Sequence, residues 1–387
     1  MTLEIVNVAA VVTGRLGEQP LDISRIRCED GMIASLGGSD EAADVVLDGN
    51  GAVVIPGLID SHAHVVFGDW TPRQGMIGWI ESSMHGGVTT MMSASEVHLP
   101  GRPDDRTGVK ALAIAAQRSF RTVRPGGVKV LGGSVIIEPT LEEEDFAELA
   151  AEGVRLAKVG FGAFDRVADA APLVRAAQRA GFVVMNHTGG ASIPGSAAVT
   201  IDDVLTLRCD IIGHANGGTT SLPDDDLPRL FDAPGSIQLV QAGNLRSALR
   251  IVELALERNA LERLVIGTDT PTGTGVMPLG MLKSIAEIAS LGGIAAVDAI
   301  ALATANNGRA LRIAEGVLEV GAPADLVLVR PPLGGVAEDA LGSIERGDIP
   351  GISAVVIDGV VRALRSRNTP APAGEARLLE LPVPAAR

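Results

Sequence analysis

Apolar residues follow two different patterns along the chain. In residues 1–55 and 316–366, short runs rich in Val, Ile and Leu are interrupted by Gly, Asp and Asn, as in LEIVNVAAVVTG and GAPADLVLVRPP. Such punctuation is typical of β-strands joined by tight turns. We therefore predict that residues 1–55 and 316–387 form one small β-domain from both chain ends, with the Pro- and Ala-rich tail after residue 366 extended on its surface.

Residues 56–315 show a different pattern, in which short apolar runs alternate with segments of helical period such as VKALAIAAQRSF and RSALRIVELALERNA. Strands that alternate with helices predict a parallel sheet, and eight of them predict a (β/α)8 barrel. The eight runs are GLIDSHAH, TTMMSAS, VKVLGGSVII, VRLAKVGF, VVMNHT, DIIGHAN, IQLVQAG and LVIGTD.

Composition narrows the class of protein. The 387 residues carry a net charge of -15, which argues against nucleic acid or an anionic membrane as the main partner. Two cysteines, Cys28 and Cys209, offer no disulfide framework and fit a reducing compartment. The N-terminus lacks the basic start of a signal peptide, and no apolar run reaches the roughly 18 residues of a membrane span. These features predict a cytoplasmic protein.

Candidate metal ligands lie at the carboxyl ends of the predicted strands. His62 and His64 end the first strand, His187 the fifth and His214 the sixth, and Asp269 ends the eighth. In a barrel these ends face one mouth, where active sites of this architecture lie. Histidines two residues apart on a strand point to the same side. Imidazole and carboxylate together suit zinc, iron or manganese, so the pattern predicts a metal site.

Lys158 lies within the apolar run LAKVGFG at the end of the fourth strand. A lysine desolvated near metal ions loses its proton easily, and the neutral amine can add CO2 to form a carbamate. Such a carboxylate can bridge the two metals of a hydrolase. Alternatively, Lys158 extends to the rim or pairs with an acid. Position on the strand alone does not separate these possibilities.

The loops after the first two strands supply candidate substrate contacts. Arg73, His98 and Arg102 lie there, and an arginine fork matches a substrate carboxylate. Each arginine can instead pair with a nearby acid such as Asp69 or Asp104. Neither a phosphate-binding loop nor a G-x-S-x-G elbow is present in the sequence, so nucleotide and serine-hydrolase chemistry lack support.

The motif PGLIDSHAH, the later single histidines, the closing Asp269 and the segment GAPADLVLV resemble the amidohydrolase superfamily. This resemblance implies a (β/α)8 barrel with a composite β-sandwich and two divalent metal ions, zinc or else iron or manganese. It implies that His62 and His64 hold the more buried metal with Asp269, and that His187 and His214 hold the second. Lys158, carboxylated, is the implied bridge.

Further stretches, among them GDWTPRQ, HLPGRPDD, HTGGASIPGS and GTGVMPLG, are similar to superfamily members that open cyclic amides. They imply hydrolysis of a C–N bond in a small lactam or enamide, one that can bear a carboxylate. A metal-bridging hydroxide is the implied nucleophile and Asp269 the proton shuttle. The resemblance also implies a homo-oligomer, of which a tetramer is one form.

Two alternatives accompany this interpretation. Mononuclear deaminases of the superfamily usually carry His-x-x-Glu after the fifth strand, whereas His187 is followed by Thr188, Gly189 and Gly190. A catalytically inactive binding or assembly module typically loses ligands, and this chain retains every expected one. Metal content distinguishes these interpretations. The hydrolase is expected to hold two metals per chain, the deaminase one, and the inactive module none.

Overall fold

The structure, a computed structural model, describes residues 1–39, 41–65, 78–96, 101–191, 198–218, 220–271 and 275–379. Its strands are β1 (Thr2–Val6), β2 (Ala10–Val11), β3 (Ile26–Glu29), β4 (Met32–Leu36), β5 (Val45–Asp48), β6 (Val53–Pro56), β7 (Leu58–Ala63), β8 (Val88–Ser93), β9 (Lys129–Leu131), β10 (Ser134–Ile136), β11 (Leu156–Val159), β12 (Val183–Asn186), β13 (Ile211–Ile212), β14 (Ser236–Val240), β15 (Leu264–Gly267), β16 (Leu326–Arg330), β17 (Gly351–Ile357), β18 (Val360–Ala363) and β19 (Arg377–Leu379).

The helices are α1 (Trp79–Met84), α2 (Arg106–Phe120), α3 (Glu143–Ala151), α4 (Ala171–Arg179), α5 (Ile201–Leu207), α6 (Leu245–Glu257), α7 (Gly280–Gly292), α8 (Ala296–Ala303), α9 (Ala305–Leu311) and α10 (Ala340–Glu345). Short 3-10 helices span Pro125–Gly127, Val167–Ala170, Asp224–Asp232 and Leu261–Arg263. Among the described helices, none combines the length and the apolar character needed to cross a membrane.

Strands β7 to β15 form the predicted parallel barrel, and the fold class is confirmed. Two glycines, Gly132 and Gly133, divide the third strand into β9 and β10, which belong to different hydrogen-bonded sheets. The amide of Glu96 donates to Ser134 O over 3.0 Å and links β10 back to the second strand. The ring closes between the eighth and first strands, where the Asp269 amide donates to His62 O over 2.8 Å.

Side chains cap the N-termini of several helices around the barrel. The Asp105 side chain accepts from the Thr107 and Gly108 amides at the start of α2, and Asn244 accepts from the Ser247 amide at α6. These bonds satisfy backbone donors that have no partner inside the helix. The helices bury apolar faces on the strands, and the Phe146 and Phe182 rings meet edge to face at 5.6 Å between centroids.

The β-domain contains two five-stranded sheets. Their strand orders are β19-β5-β1-β3-β4 and β18-β17-β16-β6-β2. Their facing sides share one apolar cluster that includes Leu3, Leu47 and Leu328. The N-terminal and C-terminal parts of the β-domain are joined where β16 pairs with β6 in antiparallel orientation. The tail is more ordered than its composition suggests, because β19 pairs with β5 at the sheet edge. Helix α10 also interrupts the predicted β-pattern, where the Asp339 side chain caps its start by accepting from Gly342 N over 2.8 Å.

Candidate metal centre

Three predicted ligands converge at the carboxyl end of the barrel. His62 and His64 lie at the end of β7, and Asp269 follows β15, its neighbour in the closed ring. Asp269 Oδ1 lies 3.4 Å from His62 Nε2 and 3.2 Å from His64 Nε2. One ligand atom from each of the three lies within 4.8 Å of the others. The donor set of two imidazoles and one carboxylate fits a divalent transition metal.

The His187 and His214 rings complete a cluster with His62. The ring centroids of His187 and His214 are 4.5 Å apart, and those of His62 and His214 are 5.3 Å apart. His187 Nε2 lies 3.2 Å from Gly190 O, and a carbonyl can only accept, so this nitrogen carries the proton. The buried His187 Nδ1 has no hydrogen-bond partner among the described residues. Its lone pair is therefore available to a metal.

Gln238 on β14 fixes the tautomer of His62. Its Nε2 donates to Ser61 O over 3.0 Å, which assigns the amide orientation because a carbonyl only accepts. Gln238 Oε1 therefore faces His62 Nδ1 at 2.6 Å, and Nδ1 must donate to it. The unprotonated Nε2 of His62 then faces Asp269. The same Oε1 accepts from the His214 amide over 3.1 Å, so one side chain positions two predicted ligands.

Asp60 supports the same strand end from the other side. Its carboxylate accepts from the His62 amide over 3.2 Å, and from the Thr268 amide over 2.9 Å and hydroxyl over 2.6 Å. Thr268 immediately precedes Asp269. Asp60 thus ties the end of the first strand to the end of the eighth, and fixes the spacing of the ligands that they carry.

Burial sets the protonation states of the site. It lowers the pKa of His62 to about 3 and that of His187 to about 4, and lowers the pKa of His214 well below its usual range. Burial alone would raise the pKa of Asp269, but His62, His64 and His214 hold it well below its usual range. Neutral imidazoles and an ionised carboxylate are the forms that coordinate metals.

Lys158 on β11 lies near enough to these rings to affect their charges. Its side chain is 1% exposed, and Nζ contacts Met185 Sδ at 3.3 Å. Burial lowers the pKa of Lys158 to about 8, although the nearby Asp269 charge opposes the shift. The Lys158 charge in turn helps to lower the pKa values of His187 and His214, after burial and, for His214, after the neighbouring His187. The amine therefore belongs to the same electrostatic cluster as the predicted ligands.

The backbone around the ligands is unusual. His214 and Asp269 have φ angles of 33° and 58°, in the left-handed region that residues other than glycine rarely adopt. Gly189, two residues after His187, has a φ of 92°, and an added Cβ would lie 1.7 Å from Thr220 O. Gly267 has no room either, since a Cβ there would lie 2.7 Å from His62 Cβ. Glycine at these two positions allows strands and loops to close around the site.

The other predicted site residues have separate outcomes. Arg73 and His98 lie outside the described residues. The Arg102 guanidinium pairs with Glu138 rather than with Asp104, and it donates to Phe161 O over 2.6 Å. Asp69 lies outside the described residues. Glu138 also accepts from the Ala163 amide over 2.7 Å. The Phe161 ring packs against His187, with centroids 5.1 Å apart.

Sequence reasoning missed Asp60, Glu138 and Gln238. Asp60 lies within the motif that revealed His62 and His64, so its position next to them was the available signal. Glu138 directly follows the third strand, at the same rim as the ligands. Gln238 is a polar residue inside a predicted apolar strand, and that is the same kind of signal that singled out Lys158.

Known proteins of similar sequence and fold identify the family of the chain. The Amidohydrolase family model matches residues 215–361. Enamidase of Eubacterium barkeri is 44% identical over 381 residues, covering 97% of this chain and 99% of that protein. A solved structure of enamidase superposes with a TM-score of 0.93 at 44% identity, covering 98% of this chain and 100% of the other.

More distant similarities are shorter or concern the fold alone. Imidazolonepropionase of Salinispora tropica is 46% identical over 67 residues, covering 16% of this chain and 17% of that protein. A putative prolidase from Bifidobacterium longum has a TM-score of 0.61 at 20% identity, covering 96% of this chain and 95% of the other. The full-length similarity to enamidase decides the family, and the chain belongs to the amidohydrolase superfamily.

Proposed function

We propose that the chain is a metal-dependent hydrolase that opens a ring C–N bond of a cyclic amide, with a cyclic enamide as the substrate class. The cluster of four imidazoles, one carboxylate and one buried lysine at the barrel mouth carries this proposal. Similarity to enamidase along nearly the whole chain supports the substrate class, since that enzyme's name denotes an enamide.

Two metal ions fit the donors better than one. His62, His64 and Asp269 would hold the first, and His187 and His214 the second. Divalent metals at such a site lower the pKa of bound water and polarise a carbonyl. Zinc suits the nitrogen-rich donor set, and iron and manganese accept it as well. The mononuclear alternative leaves the unpartnered Nδ1 of His187 without a function.

The chain's own residues supply proton transfer and exclusion of water. Asp269 is ionised and lies at hydrogen-bond distance from His64, so it can accept a proton from the attacking water. It then delivers that proton to the ring nitrogen as the C–N bond breaks, and the product acid releases the second proton of the water to solvent as the carboxylate forms. If the nitrogen belongs to an enamide, the product is an enamine, which water converts to an aldehyde and ammonia.

Lys158 is proposed as the bridge between the metals, in its carboxylated form. Its amine is buried against the Met185 thioether and loses its proton easily, and these conditions favour carbamate formation. Lys158→Ala is expected to abolish turnover, with partial recovery when acetate or propionate is added. Recovery of metal-free protein should depend on bicarbonate. Full activity in Lys158→Ala without added acid would end this assignment.

The proposed substrate class includes rings that bear a carboxylate, and the predicted residues to bind it are Arg73, His98 and Arg102. Arg102 already pairs with Glu138, so its part in substrate binding requires that pair to be shared. Arg73→Ala is expected to raise KM for an acidic lactam more than for its neutral amide analogue. Equal increases for both substrates would count against carboxylate recognition. A homo-oligomer, for example a tetramer, and a cytoplasmic location remain predictions.

A hydrolysis screen tests the proposed function directly. Purified protein is assayed for metal content and then with lactams, cyclic imides, cyclic enamides and N-acyl amino acids, and both ammonia and ring-opened product are measured. We expect about two metals per chain and turnover of cyclic substrates, with ammonia from enamides. His62→Ala and Asp269→Asn serve as inactive controls. One metal with ammonia release from an amino-substituted ring would favour a deaminase instead.

A further inference from the structure

A cavity lies at the opposite end of the barrel from the metal centre. Its volume is about 470 Å³, within the range of roughly 300–1,000 Å³ typical of small-molecule sites. Leu156 and Val183, the first residues of β11 and β12, line it, together with Leu311 and Ile313 at the end of α9 and after it. The cavity therefore lies at the amino-terminal floor of the barrel, beneath strands three to five.

The floor cavity has a positive rim in a strongly acidic protein. Arg121, Arg155 and Arg312 line it, and its described lining contains neither Asp nor Glu. Arg312 pairs with Asp210 at 2.7 Å. Within the described parts of the chain, no carboxylate pairs with Arg121 or Arg155. Both residues are exposed, so their guanidinium groups lie hydrated at the rim and are free to pair with an anion that enters the cavity.

One wall of the floor cavity also offers an unsatisfied polar atom. Gln117 on α2 lines the cavity, and its buried Oε1 lacks a hydrogen-bond partner among the described residues. A buried amide oxygen without a partner costs free energy, which a bound molecule or water can recover. The remaining walls are apolar side chains and the backbone of Gly132, Gly153 and Gly181.

We propose that the floor cavity binds a small carboxylic acid with an aromatic or alicyclic body. Arg121 and Arg155 would pair with the carboxylate, because a guanidinium fork matches it in two parallel hydrogen bonds. The apolar walls formed by Leu156, Val183 and Leu311 would receive the ring. This site is separate from the catalytic one, since the packed layer that contains Ile59, Met185 and Val265 lies between them.

Calorimetric titration of the metal-loaded protein with benzoate, cyclohexanecarboxylate and benzamide tests the assignment. We expect one carboxylate per chain, and roughly tenfold weaker binding of benzamide, which has the same ring without the charge. Arg121→Gln and Arg155→Gln should each weaken carboxylate binding about tenfold without changing turnover. Arg118→Gln is the matched control, because Arg118 lies on α2, three residues before Arg121, but pairs with Glu152 outside the cavity.

Three results would overturn the proposal. One is the absence of carboxylate binding at millimolar concentration, and another is equal affinity for benzoate and benzamide. The third is binding that competes with the substrate and is insensitive to both arginine variants, which would place the carboxylate at the metals. Arg155→Lys keeps the charge but not the fork, so it should bind the carboxylate more weakly than the wild type and more tightly than Arg155→Gln. Unchanged turnover in Arg155→Gln shows that its loss of binding is not a folding defect.

Discussion

Replacing Gln238 by methionine removes one amide and keeps a side chain of similar length in β14. The substitution deletes the 2.6 Å bond to His62 Nδ1, the 3.1 Å bond from the His214 amide and the 3.0 Å bond to Ser61 O. Gln238 is fully buried, so water cannot replace these bonds without opening the barrel. The His62 ring then loses the contact that assigns its tautomer and orientation.

The expected magnitude follows from the groups that are left without partners. Each buried polar group that loses its hydrogen bond costs about 1–3 kcal/mol. Relaxation of His62 and Ser61 recovers part of this, so we expect a loss of about 3 kcal/mol in the free energy of unfolding. Groups that orient metal-ligating histidines typically contribute about 10- to 100-fold in metal affinity or activity. Gln238→Met should lose kcat/KM within that range.

Urea unfolding of the metal-free protein measures the stability term, and chelator competition measures metal affinity. Gln241→Met is the matched control, since Gln241 directly follows β14 but bonds to Ser284 Oγ, at 2.7 Å, rather than to a histidine. The control should keep metal affinity and kcat/KM. If Gln238→Met keeps both at the wild-type values, the amide does not position the ligands and the reasoning is refuted, whatever its stability.

Three further predictions concern charge and backbone. Glu138→Ala leaves the Arg102 side chain, which is 11% exposed, without its acid, and should lower the free energy of unfolding in urea by about 3–5 kcal/mol. The control is Glu143→Ala, which removes one member of an exposed ion pair and should cost under about 1 kcal/mol. Burial would raise the pKa of Asp145, but Lys110, the Glu142 amide and Arg106 hold it below its usual value. A lowered pKa in the folded state stabilises the fold above the unfolded pKa of about 3.9, so Asp145→Asn should lose about 1–2 kcal/mol at pH 7. This deficit should shrink as the pH falls through the folded pKa of Asp145, and a pH-independent deficit would contradict it. Gly189→Ala should lower activity because its Cβ would meet Thr220 O at 1.7 Å, whereas Gly190→Ala, with its nearest neighbour at 3.8 Å, should be tolerated; equal effects would show that space is not the cause.

The barrel was predictable because its strands are short apolar runs between helical segments, a signal that each segment carries by itself. The histidine ligands were predictable for a related reason, since parallel strands place all their carboxyl ends at one rim. The pairing of β19 with β5 was not, because the tail RNTPAPAGEARLLEL is rich in proline and its partner lies more than 300 residues away. Local pattern does not specify such a long-range partner.

Side-chain pairing at the rim was less predictable than the ligands. The sequence placed Arg102 on an active-site loop, and nearby acids such as Asp104 were the obvious partners. The structure pairs it with Glu138, 36 residues away, because Arg102 lies beside the end of the third strand. Gln238 is a similar case, since its function depends on His62, which is 176 positions distant. Such contacts depend on the closure of the barrel and cannot be read from the separation of the residues in the sequence.

The left-handed backbone at His214 and Asp269 indicates that the site is shaped for function at a cost in stability. A residue other than glycine in this region costs about 1–3 kcal/mol, and Asp and Asn tolerate it better than most. Asp269→Asn keeps a side chain that accepts this backbone but removes an ionised carboxylate that the surrounding histidines stabilise, as its lowered pKa shows. We therefore expect metal-free Asp269→Asn to remain folded at pH 7 but to unfold at a lower temperature than the wild type, while turnover is lost. An unchanged unfolding temperature would show instead that the carboxylate does not hold the rim together.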